Sequence, residues 1–470
     1  MRMMNEKKYR WVLFILGIVL SAAVHNAAAA GVGVDWSAIS TLDLTDAIRI
    51  ALTGNPGLAA SMARVRQANA QVAQVRSAYW PRLDAKAGGA RVDLSEKVYQ
   101  QNLATARILD PTADVEDPQG YYTADLTVSW TLFDGFERKF TNAAARYGEQ
   151  SSQAALNDAR RLLISAVALT YFSAQLALEN IAIAKADETF NHRQLVDAEA
   201  RYRVGAGALS DVLNFQVRKN LAKTTRINQE YQLEIALYSL AALLGIPESR
   251  LPPHVRLARL VPEADAELTE PPVDRMIESA MNHRPDIQQI QWAIRQSEAQ
   301  IKIAQTSYYP AIALSASLEG ERTDDPGFEQ DDIGNRVQVG LSYNLFAGGI
   351  TRARVREARH RRYELEKNLE ALELSIAAEI RDSAALVTTA QAQLALQREN
   401  VDLVQRTRDL VEKEYNAGQG SLVRLNEAQK DLTRAQGTLA LALVGLRQAW
   451  VTLETRTGNI IAIYDADHTP

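Results

Sequence analysis

Side chains able to do covalent chemistry are few and scattered in this 470-residue chain. Cysteine is absent, which removes thiolate catalysis, zinc–thiolate sites and disulfides. The six histidines, His25, His192, His254, His283, His360 and His468, fall at no spacing that suits a metal site or a catalytic triad. The acid pairs Asp324-Asp325 and Asp331-Asp332 sit in a polar stretch containing proline and glycine, where solvated charge is expected. No catalytic residue, metal or cofactor is therefore expected. Three charges do ask for a role. Asp211 and Arg424 each follow a glycine pair, Gly205 and Gly207 or Gly418 and Gly420, and Glu427 stands one helical turn further on. If such turns form the narrow end of a tube built from several copies, their chemistry is electrostatic: rings of charge that hold the end shut and filter what passes. Acids also favour helix starts for purely local reasons.

The elements that must carry these turns are long. Residues 134–205 lack proline and are rich in Ala, Leu, Gln and Arg, so they predict one helix of about 100 Å. Residues 348–417 predict a second. Return helices follow at 211–245 and 422–456, with Ser210 and Ser421 placed to cap them and the glycines placed to adopt positive φ. Two strand pairs alternate polar and apolar residues, within 83–132 and 311–346. In the first, Tyr122, Ala124, Leu126, Val128, Trp130 and Leu132 share one face; in the second, Val337, Val339, Leu341, Tyr343 and Leu345 do. Residues 93–121 read as a long exposed loop, 31–43 as an irregular lead-in, 246–270 as a proline-rich linker and 457–470 as a tail. The start has the three parts of a secretory signal peptide, expected over residues 1–30: Lys7, Lys8 and Arg10, the apolar run Trp11 to Val24, and the alanines Ala27 to Ala30. Nothing after it is a continuous apolar run of membrane-helix length, so strands are expected to make any crossing.

The chain is duplicated, as 31–270 and 271–456. Tyr308 follows Tyr79 by 229 positions, as Arg284-Pro285 follows Asn55-Pro56. Gly418 follows Gly205 by 213, as Leu345-Phe346 follows Leu132-Phe133. The difference falls within the strand–loop–strand segment, where a shortened surface loop is tolerated. In each repeat the helix before the strands and the helix after the glycine turn together equal one long helix, which predicts a continuous rod beside a rod of two stacked halves. Two hairpins leave sheet edges open, which a bilayer does not tolerate. Closure must then come from other copies, and a trimer supplies twelve strands and twelve rod positions. The fold expected is an all-α coiled-coil barrel joined to a transmembrane β-barrel, both completed by trimerisation. Aromatics near the strand ends (Tyr79, Trp80, Tyr121, Tyr122, Trp130, Tyr308, Tyr309) suit an interfacial belt at a lipid bilayer. A formal charge of -5 gives no reason to expect a nucleic-acid partner. A periplasmic or surface coiled-coil scaffold or adhesin without a pore explains the helices but leaves both hairpins without a purpose.

These features resemble the TolC-like outer-membrane efflux proteins. The likeness rests on Leu44-Thr45-Asp46-Ala47 through Asn55-Pro56, Tyr79-Trp80-Pro81, Trp130 to Gly135, Arg284-Pro285-Asp286-Ile287, Tyr309-Pro310, Tyr343 to Phe346 with Gly348-Gly349, and the two turns, 205–216 and 418–429. It implies a non-catalytic homotrimeric duct in the outer membrane, in contact with outer-membrane lipid, with a long periplasmic portion. It further implies a periplasmic adaptor (membrane fusion protein) and an inner-membrane pump or ABC secretion transporter. The tips (Gly205, Gly207, Leu209, Ser210, Gly418, Gly420, Ser421 and Leu422) look like the adaptor-docking ends, and Pro81, Gly135, Pro310 and Gly348 like the barrel–tunnel junction. Some members carry two acids, three apart, at the second-repeat constriction; here Arg424 precedes Glu427, so no simple anionic ring and no cation selectivity carries over.

Overall fold

The computed structural model describes residues 36–115, 117–261, 269–323 and 326–465. The expected signal peptide, His25, His468 and Asp324-Asp325 lie outside them. The chain divides into Met1–Ile39, whose described part holds a single 3-10 turn at Trp36–Ala38, and Ser40–Pro470. All the described sheets and α-helices belong to the second unit.

Helix α1 (Leu44–Gly54) starts where the Asp43 carboxylate accepts the Asp46 N–H at 2.7 Å. Helix α2 (Pro56–Ser77) starts one residue after α1 ends, because proline at the first helical position needs no N–H partner and Asn55 caps the turn. The rods α4 (Glu137–Arg203) and α8 (Ile350–Asn416) are 67 residues each, about 100 Å. Returning from them are α5 (Leu209–Leu243) and α9 (Leu422–Thr457). In the second repeat α6 (Val273–His283) and α7 (Pro285–Thr306) correspond to α1 and α2. Helix α3 (Glu96–Leu109) lies between the first two long strands, and α10 (Ile460–Asp465) follows α9.

Continuous and composite rods alternate. Helix α4 packs against both α2 and α5 on one side and against α7 and α9 on the other, and α7 and α9 also pack on α8. The composite rods are joined where one helix ends on another. Asn55 at the start of α2 donates its amide to the Leu243 carbonyl at the end of α5, at 2.8 Å. In the second repeat Arg284 donates to the Arg456 carbonyl at 2.7 Å. Coiled-coil spacing explains the fit of α8 on α9. Ile380, Val387 and Leu394 recur every seven residues, are fully buried, and meet Leu446 and Leu453, also seven apart. Burying one such side chain contributes about 1.5–3 kcal/mol. Helix α4 contains an 18-residue window apolar enough to cross a membrane by length and composition, and 44% of that window is buried inside the protein.

Strands β2 (Arg82–Val92), β3 (Gln119–Phe133), β5 (Ala311–Thr323) and β6 (Ile333–Ser342) form one antiparallel sheet in the order β2-β3-β5-β6. The two expected hairpins are therefore joined through β3 and β5, leaving β2 and β6 as the edges. Register puts Leu83 opposite Val128, Val128 opposite Ala316 and Ala316 opposite Val337, so one face is apolar from edge to edge. On the other face Asp84, Thr127, Ser317 and Arg336 form the neighbouring row. Val337, Val339 and Leu341 on that apolar face are 74%, 64% and 69% exposed, a surface that water does not favour.

Several expectations need correction. The stretch read as an exposed loop, 93–121, contains α3, in which Leu103 is buried. Its glutamines, alanines and charges are helix formers, which outweigh its polarity. Strand β6 stops at Ser342, so Tyr343 and Leu345 continue the alternation in sequence only. Neither the lead-in nor the linker is wholly irregular: β1 (Thr41–Leu42) pairs in parallel with β4 (Arg256–Leu257). This small sheet rests on α4, where the buried Tyr171 phenol donates to the Leu42 carbonyl at 3.0 Å and Gln175 donates to the Ala258 carbonyl at 2.8 Å. Burial pushes the Tyr171 phenol up to about 12. The expected tail includes α10.

Candidate functional site

Each tip is a helix–turn–helix closed by backbone bonds. At the first, the Gly205 N–H donates to the Tyr202 carbonyl at 3.0 Å and that of Ala206 to Arg201 at 2.8 Å. At the second, Gln419 and Gly420 both donate to the Glu414 carbonyl, at 2.9 and 3.0 Å. Gly205 and Gly418 adopt φ of 74° and 76°, the left-handed region that glycine enters at least cost. Gly207 and Gly420 do not, contrary to the sequence expectation. They are glycine for space: a Cβ would lie 2.9 Å from the Arg201 Cβ at the first and 2.9 Å from the Tyr415 N at the second. The expected serine caps also divide. Ser421 accepts the Arg424 N–H at 3.3 Å, but α5 begins at Leu209, so Ser210 lies inside the helix and Ala208 takes the cap position.

A shared core holds the two tips side by side. Phe190, Leu195, Ala198, Phe215, Val411, Leu425 and Ala428 are buried together, drawn from α4, α5, α8 and α9. Tyr415 lies edge-on to Phe215 at 6.4 Å, and the Arg201 guanidinium sits 5.4 Å above the Tyr415 ring while donating to Asn416 at 3.1 Å. Burial raises the Tyr415 phenol, the Asp211 carboxylate adds to the rise, and Arg201 opposes it.

Asp211, Arg424 and Glu427 do not meet as one cluster. Arg424 pairs with Glu414 of α8 at 3.0 Å, with both side chains largely exposed, so this bond contributes at most about 1 kcal/mol. Glu427 is exposed. Asp211 is half-buried beside Tyr415. Within one protomer, then, these charges are presented to the surroundings and are not consumed by each other.

Sequence reasoning missed a polar network just behind them. The Asp187 carboxylate of α4 accepts from Gln429 at 2.8 Å and from Asn191 at 3.2 Å. Asn214 accepts from both Asn426 at 3.1 Å and Arg218 at 3.0 Å, and burial lowers the Arg218 pKa. Glu412 accepts from Gln194 and Arg408, each at 2.9 Å. Polar residues recurring on the buried stripes of four helices are the signal that could have revealed it, since buried polar groups need partners. Among the described residues no three His, Cys, Asp or Glu side chains converge as a metal site.

At the other end of the rods, Gly135 with φ of 62° lets β3 turn into α4, and a Cβ there would lie 2.8 Å from the Thr306 carbonyl. Gly348 with φ of 60° has open space around it, so its glycine answers to backbone conformation alone. Asp134 and Arg138 lock the first junction at 2.6 Å, and Arg138 also donates to the carbonyls of Ala78 and Leu132. Pro81 and Pro310 each fall between a helix end and its strand.

The outer members of the row of rods are not covered. On α8, Leu396, Leu403 and Leu410 recur every seven residues and are 61%, 52% and 60% exposed. On α5, Val217, Ile227, Tyr231 and Ile235 are likewise exposed.

The outer membrane efflux protein family model matches residues 47–246 and 276–459, one copy in each repeat. The chain is 25% identical over 435 residues to the pyoverdine export outer membrane protein OpmQ of Pseudomonas aeruginosa, covering 90% of this chain and 86% of that one. It is 24% identical over 433 residues to the alkaline protease secretion protein AprF of the same organism, covering 89% and 84%. The fold superposes on the CmeC outer membrane channel of Campylobacter jejuni with a TM-score of 0.72 at 18% identity, covering 88% of this chain and 85% of that one. The chain belongs to the outer membrane efflux protein family, as an outer-membrane channel subunit of an efflux or secretion system.

Proposed function

We propose that three copies of this chain close a passive conduit whose β-barrel sits in the outer membrane and whose helical tube reaches into the periplasm. The observation that carries the reading is the pair of open ends. Each protomer has a continuous rod, α8, uncovered at one end of its row and a composite rod, α2 with α5, at the other. A long rod from one copy can therefore take the place beside the composite rod of the next, burying Leu396, Leu403 and Leu410 against the exposed apolar residues of α5. The same rotation sets β6 against β2 of the neighbour and satisfies both edges of the sheet.

In such a trimer Asp211, Arg424 and Glu427 ring the periplasmic end of the lumen, with alternating sign. The turns Gly205, Gly207, Leu209 and Ser210, and Gly418, Gly420, Ser421 and Leu422, form the surface that meets a periplasmic adaptor. That adaptor joins the conduit to an inner-membrane pump or ABC secretion transporter. The conduit itself supplies a wet path; energy and cargo choice belong to the inner-membrane partner. Export of pyoverdine and of alkaline protease by relatives supports cargoes that range from small molecules to polypeptides.

The test is mass measurement in mild detergent together with planar-bilayer recording. A trimer that conducts ions is expected. Arg424→Glu places like charges beside Glu414 and is expected to loosen the tip and raise single-channel conductance. A lone subunit without ion flow refutes the conduit and leaves the pore-less scaffold.

A further inference from the structure

The cations just below the sheet have no role in the conduit described so far. A cleft of about 650 Å³ opens between the end of α2 and the start of α4, and Arg76, Lys139, Arg146, Asn142, Tyr79 and Trp80 line it. No carboxylate is among its lining residues. Among the described residues none of the three cations makes an ion pair, whereas the neighbouring Arg138 is locked to Asp134. Trp80 is 76% exposed, which costs free energy in water unless the ring meets an amphipathic surface.

Position decides what suits the cleft. Trp130 lies on the apolar face of the sheet, and its indole N–H donates to the Tyr79 carbonyl at 3.1 Å. The cleft rim therefore adjoins the edge of the lipid-facing surface, and Arg146 lies within about 15 Å of the start of α4 along the helix axis. The second repeat is more basic at the same level. Arg352, Arg354, Arg356, Arg359 and Arg361 are all exposed near the start of α8, and Arg352 lies in the first turn, where the helix dipole disfavours cations. Clusters of exposed cations on two helices beneath one apolar sheet leave positive charge for which an anion outside the chain is the natural source of compensation.

We propose that the α2–α4 cleft is a headgroup site for an anionic phospholipid of the membrane leaflet facing the helices. Arg76, Lys139 and Arg146 hold the phosphodiester, Asn142 donates to it, and Trp80 lies at the boundary with the acyl chains. The site rests on the reading that the sheet spans the outer membrane. Juxtamembrane cations each strengthen binding to anionic lipid about fivefold, so removing three weakens it on the order of a hundredfold.

Native mass spectrometry of the purified full chain in detergent tests this, with phosphatidylglycerol, phosphatidylethanolamine and inorganic phosphate as separate additions. Wild type is expected to retain phosphatidylglycerol in preference to phosphatidylethanolamine, and R76Q/K139Q/R146Q to lose that preference, while R76K/R146K keeps it. The same spectra report the oligomer, so loss of the trimer is read separately from loss of lipid. Equal retention of phosphatidylglycerol by the triple glutamine variant overturns the proposal. Displacement by inorganic phosphate at equal concentration overturns it too, because the cleft is then an anion site and not a lipid site. A triple variant that alters only ion selectivity in planar bilayers places the charges in the lumen and also overturns it.

Discussion

The joint inside the first composite rod yields a quantitative test. Gly245 follows α5 at φ of 74°, and a Cβ built there would lie 2.1 Å from the Gly54 carbonyl oxygen and 2.6 Å from its carbon. Ordinary contact needs more than 3 Å, so Gly245→Ala must open the joint by roughly 1 Å. The left-handed backbone costs an alanine about 1–2 kcal/mol by itself. Opening the joint also threatens the Asn55 bond to the Leu243 carbonyl, worth about 1 kcal/mol, and leaves that carbonyl short of a partner. Together these give a destabilisation on the order of 3–5 kcal/mol. Gly205→Ala is the control, because it has the same φ of 74° with no atom within 4 Å, and it should cost only the backbone term. Denaturant midpoints of the detergent-purified variants, followed by far-ultraviolet circular dichroism, measure the difference. Equal shifts in the two variants would refute the reasoning, since the steric contact at the joint would then carry no energy.

Two further outcomes follow from local chemistry. Ser421→Ala should cost about 1 kcal/mol, because Ser421 caps α9, whereas Ser210→Ala should change stability by a few tenths, and equal denaturant shifts would contradict the assignment. Burial alone would raise the Asp286 pKa, but the hydrogen bonds and charge of Arg284, with the charge of Arg161, outweigh it and hold the carboxyl below its ordinary 3.8. Its stabilisation is therefore complete above that ordinary value and is lost as pH falls through the folded value, so Asp286→Asn should flatten the acid limb of a stability–pH curve below about pH 4.

Much of the rod architecture was legible because a duplicated, proline-free pattern constrains helix length strongly. The composite rods could be inferred from length alone, and the bonds Asn55 to Leu243 and Arg284 to Arg456 give the physical joint. What was not legible depended on tertiary partners. Helix α3 hides its single buried contact, Leu103, in a segment whose composition reads as polar. Pairing of β1 with β4 joins residues more than 200 positions apart through two-residue strands, too short for any periodic signal. At the tips, glycine was recognised at all four turn positions, but sequence could not separate Gly205, needed for its φ, from Gly207, needed for its missing Cβ. The Asp187 network was missed because polar residues spread along each helix resemble solvated surface until four helices bring them together.

In the proposed trimer the sheet and the rods call for the same closure, which would couple two distant parts of the molecule. Edge strand β2 continues from α2, at one end of the row, and edge strand β6 leads into α8, at the other. A neighbour that pairs its β6 with β2 must therefore also bring its α8 beside the α2–α5 rod. Neither interface can form in a different order from the other without stretching the short connections at Pro81 and at Gly348-Gly349. In that trimer, contacts made at the sheet would help set the relative positions of tips roughly 100 Å away along the rods. Arg424 and Glu414 contribute at most about 1 kcal/mol as an exposed pair, so within one protomer the tips are held chiefly by the buried core around Phe215 and Leu425 and not by this bond.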